Sequence, residues 1–296
     1  MSDSPPDNPK GEVRWRMKRE VRPGRSAPSA DTSGGHASAR PGQSVTDEEL
    51  MALIARTHEW DTGEEAEPVW AGCCIHAVNG VELICDPAGI AYCPAEDTML
   101  VADLHLEKGA AFARRGQLVP PYDTAMTLSR LARTLARWRP KRVVALGDSF
   151  HDGDGAALMG DRDRETLTGL MAGRDWVWIS GNHDPEPPQG LGGETMERLS
   201  LGPLTLIHEP SPDAGPGEIA GHLHPKARVT RRGRTVSKSC FAVSRSRMVM
   251  PSFGAYTGGL SVFHRAFAGL FDGLAFHALM RGSAQVYRIR ASDLSR

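Results

Sequence analysis

Apolar and polar positions change period several times along the chain, and each change marks an element. Between residues 71 and 102 the apolar positions form short runs of strand length. Residues 71–78 and 81–85 flank Asn79-Gly80, a pair that tolerates the left-handed conformations of a two-residue hairpin turn. Residues 89–93 and 98–102 extend the predicted sheet. The period then lengthens: Leu128, Leu131, Leu135 and Trp138 share one face of a helix that Asp123 can cap and Pro140 ends. A strand over 142–146, a helix over 164–172 and a strand over 176–180 alternate after it. From Leu204 onward strands dominate, at 204–208, at 218–221, as a pair around 228–236 and 238–251, and last at 285–289, with 261–270 mixed. Upstream, Thr46 and Glu49 form a capping box that opens a short helix to about His58, followed by an acidic linker at 61–68. Residues 1–44 are rich in Pro, Ser, Gly and Arg and have no apolar period. Such a segment buries too little surface to offset its ordering entropy and is expected to be a disordered, solvated tail. The chain thus divides into a basic tail (1–44), a helix and linker (45–68) and a domain (69–296). No internal repeat is present. Alternation in the middle with strands on either side predicts an α/β fold, α+β in four layers, with two sheets between helices.

Composition narrows the class. At 296 residues the chain can bury a core without disulfide or metal staples. A net charge of -1 gives no global attraction for polyanions, so any such binding must come from local patches. The five cysteines, Cys73, Cys74, Cys85, Cys93 and Cys240, form no C-x-x-C pair and sit mostly in apolar runs. Reduced thiols and a cytoplasmic protein are expected, with a zinc or redox role as the lesser reading. There is no apolar N-terminal segment of a secretory signal and no run approaching the roughly 18 apolar residues of a membrane span.

Candidate chemistry gathers where apolar runs stop. The run 99–102 ends in Asp103-Leu104-His105, and in an extended segment an i, i+2 pair points to one side, so carboxylate and imidazole can grip one ion. The run 143–146 ends in Gly147-Asp148, and 177–180 in Gly181-Asn182-His183-Asp184. The run 204–207 ends in His208, and 219–220 in Gly221-His222-Leu223-His224. Singly, each has an innocent reading as a turn, a cap or a surface histidine. Together, five buried-looking strands end in oxygen or imidazole donors, and α/β proteins place their sites at the carboxyl ends of strands.

The order D-x-H, G-D, G-N-H-D, H, G-H-x-H over residues 98–225 resembles that of the calcineurin-like metallophosphoesterases. The stretch from Val101 to Gly116, Pro120-Pro121-Tyr122-Asp123-Thr124 and Pro251 to Leu260 are similar to one subfamily, the bacterial ligase-associated DNA damage response endonucleases of the PdeM type. The resemblance implies a double β-sandwich flanked by helices and two divalent cations. One would be held by Asp103, His105, Asp148 and His224, the other by Asp148, Asn182, His208 and His222, with Asp148 bridging. Oxygen and imidazole donors suit Mn²⁺ first, with Fe or Zn²⁺ as alternatives. His183 is then the catalytic imidazole that is not a ligand, and Asp184 either orients it or caps a loop. Ser149-Phe150-His151-Asp152 departs from the Asp-Arg-Gly-like continuation of many relatives, which makes His151 a substrate contact or a support behind the ligands.

A polyanionic substrate needs cations at the rim. Lys108, Arg114 and Arg115 follow the first donor pair, and Arg231, Arg232 and Arg234 form a basic turn beyond His224; either cluster can also be a solvated face. The absence of zinc-finger, helix-turn-helix and stacking motifs argues against sequence-specific reading of DNA. The resemblance implies a DNA endonuclease or phosphodiesterase of DNA repair, functionally associated with a ligase and a helicase. A phosphomonoesterase or nucleotide pyrophosphatase on the same scaffold, and a non-catalytic repair scaffold, are the alternatives.

Overall fold

Asn79 and Gly80 take φ of 49° and 81° and join β1 (Cys74–Val78) to β2 (Val81–Cys85) as the sequence predicts. The computed structural model describes residues 68–296 except Arg115, 117–121, Asp154, Pro187 and Gln189. The predicted tail, the helix at 46–58 and nearly all of the acidic linker lie outside the described residues.

β3 (Ala91–Cys93) and β4 (Thr98–Val101) complete an antiparallel run that began with β1 and β2. Beyond β4 the connections become helical and the strands parallel. Helices α1 (Lys108–Arg114) and α2 (Asp123–Trp138) lead to β5 (Arg142–Leu146), and the short α3 (Gly155–Leu158) and α4 (Asp161–Met171) lead to β6 (Asp175–Ile179). β7 (Glu194–Met196) closes a seven-stranded sheet in the order β1-β2-β3-β4-β5-β6-β7. β4, β5, β6 and β7 are parallel, so the segments after β4, β5 and β6 emerge at one end. β5 is apolar on both faces because both are covered. Asp123 does not cap α2 as predicted. It is the first helical residue, and its carboxylate accepts the Gly109 amide of α1 at 3.0 Å, tying the two helices together.

β8 (Arg198–Leu201), β9 (Leu204–Ile207), β10 (Glu218–Ala220), β11 (Lys226–Arg231), β12 (Arg234–Val243), β13 (Arg247–Val249), β14 (His277–Arg281) and β15 (Val286–Arg290) build the second sheet. Its order is β15-β14-β12-β13-β10-β9-β8, with β11 paired to β12. β9, β10 and β13 are parallel neighbours. The turn between β11 and β12 falls at Arg232-Gly233, with φ of 49° and 74°, earlier than the predicted break near residue 237.

The two sheets face each other across one apolar core that includes Leu100, Val144, Val177, Leu206, Ile219 and Phe241. α2 and α4 pack together, and Trp138 of α2 meets Tyr92 of β3 at a ring distance of 4.8 Å. The opposite outer layer is mostly irregular, with one 3-10 turn at Arg265–Phe267. Val262, Phe267, Leu270 and Phe276 cover the second sheet from an irregular segment. Gly269 and Gly273, with φ of 78° and 53°, interrupt any helix there. All five cysteines are free thiols, and Cys74 stands opposite Cys85 in the β1–β2 register. Among the described residues no helix is long and apolar enough to cross a membrane.

Candidate metal centre

Five strand ends deliver the candidate donors to one place. Asp103 and His105 follow β4, Asp148 follows β5, and Asn182 and His183 follow β6. His208 follows β9, and His222 and His224 follow β10. The backbone that achieves this is not extended. Asp103, His105, Asp148, His222 and His224 have φ of 53°, 44°, 47°, 66° and 45°, the left-handed region that non-glycine residues rarely occupy. The i, i+2 pairs therefore share a side because both members are kinked, not because a strand alternates. Each such residue costs about 1–3 kcal/mol and persists only where its surroundings hold it. Leu104, buried between the two kinks, and the carbonyl of Asp103, which accepts Ser252 Oγ and the Gly254 amide at 2.9 Å each, supply that hold.

Glycines let the loops close up. Gly147 has φ of 73°, and a Cβ there would lie 2.4 Å from His208 Nδ1. A Cβ on Gly181 would lie 2.2 Å from the Asp148 amide. Neither position has room for a side chain.

Two donor groups result. Asp103, His105 and His224 form one, with His224 Nε2 3.3 Å from Asp103 Oδ1 and 3.2 Å from His105 Nε2. Asp148, His208 and His222 form the other. His208 Nδ1 lies 2.9 Å from the Leu146 carbonyl, so that nitrogen holds a ring proton. Its Nε2 is ringed by Asn182 Oδ1 at 3.0 Å, His222 Nδ1 at 3.1 Å and Asp148 Oδ1 at 3.3 Å. A proton on Nε2 can serve only one of these acceptors, whereas a cation among them satisfies the whole set. The donor chemistry fits a divalent metal in both groups. Asp148 joins them, since Oδ1 faces His208 and Oδ2 lies 4.0 Å from His105 Nε2.

Electrostatics follow from burial and these contacts. Burial, and then the neighbouring His224, hold the His105 pKa down, so its imidazole is neutral and free to ligate. Burial also opposes charge on His208, but its bond to Asp148 and the fields of Asp103 and Asp148 prevail and raise its pKa to about 9.

His183 stands apart. Its side chain is 42% exposed against 3% for Asp148, whose Oδ2 is 4.0 Å from His183 Nε2. His183 Nδ1 bonds the His151 carbonyl at 2.9 Å. Asp184 does not orient this ring. Its Oδ2 accepts the amides of Ser149 and Phe150 at 2.7 and 3.1 Å, and its Oδ1 accepts that of Gly181 at 3.2 Å. It is the loop cap, binding the segment after β5 to the segment after β6. His151 is buried, its ring stacked on His183 at 5.3 Å and on Phe112 at 5.5 Å. Its ring thus packs against both Phe112 and His183.

Of the candidate rim cations, Lys108 is near the centre, its Nζ donating to the Tyr256 carbonyl at 3.1 Å and its charge reaching His105. Arg231 and Arg232 are exposed at the hairpin tip, and Arg231 stands roughly 16 Å beyond Lys226 along β11. They are carried away from the donors. Arg114 ends α1; its side chain and all of Arg115 lie outside the described residues. Sequence reading missed the supports made by backbone, the Leu146 and His151 carbonyls, because a carbonyl leaves no trace in residue type. Ser252 was within reach, since it sits in the 251–260 stretch already singled out.

No protein-family model matches the chain, and neither does any curated protein. Among solved structures, a nuclease from Pseudomonas putida, MPE, aligns at 27% identity with a TM-score of 0.57, covering 73% of this chain and 100% of that one. A phosphoesterase from E. coli, Yfce, aligns at 14% identity with a TM-score of 0.34 over 66% of this chain and 98% of that one, too loosely to carry weight. The fold, the order of its donor motifs and the likeness to the nuclease are consistent with a metallophosphoesterase of the calcineurin-like type.

Proposed function

We propose that this chain is a phosphodiester hydrolase that cleaves DNA without reading its sequence, in the service of DNA repair, with residues 69–296 as its catalytic domain. One observation carries the reading: a single buried carboxylate, Asp148, presents one oxygen to each of two donor groups. In this reading Asp103, His105, Asp148 and His224 hold one divalent cation, and Asp148, Asn182, His208 and His222 the other, with Mn²⁺ as first choice over Fe or Zn²⁺. When bound, such a pair supplies an acidified water and charge neutralisation for phosphate oxygens. The chain supplies the rest. Asp103, whose carboxylate also accepts the His222 amide at 3.0 Å, fixes the β4 and β10 ends against one another. The His151 carbonyl holds Nδ1 of His183, so only Nε2 faces substrate, to bond a phosphoryl oxygen or to pass a proton to the leaving oxygen. The likeness to a nuclease supports nucleic acid as substrate. The subfamily resemblance supports functional association with a ligase and a helicase, and the free thiols support a cytoplasmic location.

The test is a panel of metals against substrates with the full chain, stripped by chelator and reloaded. Mn²⁺ restores cleavage of single-stranded or nicked DNA, and chelation abolishes it. Release of phosphate from monoesters with all DNA left intact overturns the nuclease reading.

Protons compete with the metals at His208. With its metal-free pKa raised to about 9, that ring is protonated below pH 9, and a metal must expel the proton to bind. Apparent Mn²⁺ affinity therefore falls as pH is lowered, by roughly tenfold per pH unit where one proton is displaced. Calorimetric titration in buffers of different ionisation enthalpy measures the proton released. A pH-independent affinity between pH 6 and 9 contradicts the assignment of His208.

A further inference from the structure

A cavity of about 410 Å³ opens beside His224. Its charged lining consists of Arg130, Lys226, Lys238 and Arg281 together with that histidine, and no carboxylate is among the lining residues. Arg130 comes from α2 and Arg281 from the end of β14, so the cluster is a product of the fold and not a run in the sequence.

The two arginines are unlike surface cations. Arg130 lies over the Phe253 ring at 4.2 Å, and its Nε and Nη2 are buried with no hydrogen-bond partner. A guanidinium without an acceptor is a costly thing to bury. Arg281 is fixed by the carbonyls of Pro87 and Ala88 at 2.8 and 2.7 Å and by Ser239 Oγ at 3.2 Å. Burial, and then the charge of Arg130, push the Arg281 pKa down to about 10. Asp86 also acts on Arg281, but its carboxylate is ion-paired to Arg137 at 3.1 Å and bonded by Trp138 Nε1 at 2.8 Å. Positive charge here is gathered and left unbalanced.

The cavity is also tied to the metal centre. The loop that walls it runs through Ser252 and Gly254, both bonded to the Asp103 carbonyl at 2.9 Å. His224 belongs to both places. An anion in the cavity therefore sits at a set offset from the donors.

We propose that this cavity is an anion subsite that takes a phosphate of the same strand, next to the one being cleaved, with Arg130 and Arg281 as the recognising groups. The assignment rests on the phosphodiesterase reading above. Arginine suits the task because its planar fork meets two phosphate oxygens at once.

The test compares the full chain and its Arg130→Gln variant, both loaded with Mn²⁺, on a single-stranded 12-mer and on bis(4-nitrophenyl) phosphate, which is too small to span both places. Among the described residues, Nε and Nη2 of Arg130 have no hydrogen-bond partner that the variant would lose. The ratio of kcat/KM for the oligonucleotide to that for the small diester falls roughly tenfold or more, as loss of a charge-assisted bond requires. Lys238→Gln, an exposed change, lowers the same ratio by a smaller factor. The salt slope of oligonucleotide binding also drops by about 0.7 per cation removed, the single-strand value. An unchanged ratio in Arg130→Gln overturns the subsite while leaving the nuclease reading intact. If the unmodified chain turns over the small diester but no nucleic acid, both readings fall. If Arg130→Gln weakens inhibition by inorganic phosphate but leaves the ratio unchanged, the cavity takes a free anion and the strand assignment is overturned.

Discussion

Asp148→Asn lowers kcat/KM on any phosphodiester by on the order of 10³-fold or more, because a metal pair contributes several kcal/mol of charge stabilisation and each ~1.4 kcal/mol is tenfold in rate. The substitution keeps shape and removes charge. Asp148 Oδ1 lies 3.3 Å from His208 Nε2 and accepts the His183 amide at 3.0 Å, while Oδ2 lies 4.0 Å from His105 Nε2. An asparagine keeps one acceptor oxygen and turns an NH₂ group toward the other donor set, where a cation would have to sit. Elemental analysis of the purified variant therefore gives fewer than two bound metals per chain, against two for the unmodified protein. The fold persists, since the core between the sheets is untouched, and circular dichroism checks that. A variant that keeps two metals and activity within tenfold removes the bridging role and, with it, the proposed centre.

How much of this centre was legible in the sequence depends on what each part is made of. Donor identity was legible because a buried parallel strand is an unbroken apolar run, so a polar residue at its end stands out. Asp103, Asp148, Asn182, His208 and His222 were found that way, and the structure brings them together. The local geometry was not legible. Extended alternation was the simplest account of Asp103-Leu104-His105, yet the pair is built from left-handed residues, a conformation that surrounding contacts impose and residue type does not announce. Asp184 misled for a related reason. A carboxylate next to a histidine suggests an orienting pair, but three backbone amides claim it. Basic clusters read along the chain were a partial guide to cations near the site, since Lys108 is one of them. Arg231 and Arg232 ride a hairpin away from it, while Arg130 and Arg281, 151 positions apart, line one cavity only in the folded chain. Among the elements, β14 and the irregular outer layer escaped because glycines at 269 and 273 blur any period in that region.

The second large effect separates two roles that geometry leaves to His183. His183→Ala keeps both metals, because none of the seven donors is altered, and lowers kcat by roughly 10²- to 10⁴-fold, the range of general acid–base groups. KM changes little. The size of the loss should depend on the leaving group. The leaving oxygen of DNA is a poor alkoxide that needs a proton, whereas 4-nitrophenolate departs without one. If Nε2 of His183, the site's exposed nitrogen, delivers that proton, the variant loses far more activity on DNA than on bis(4-nitrophenyl) phosphate. If Nε2 instead bonds a non-leaving phosphoryl oxygen, both substrates lose by similar factors, since charge grows on that oxygen in either reaction. His183→Gln distinguishes the cases further, because an amide can donate a hydrogen bond but cannot transfer a proton. It recovers activity under the second role and none under the first. Full activity in His183→Ala with both metals bound sinks both roles and leaves catalysis to the metal pair alone.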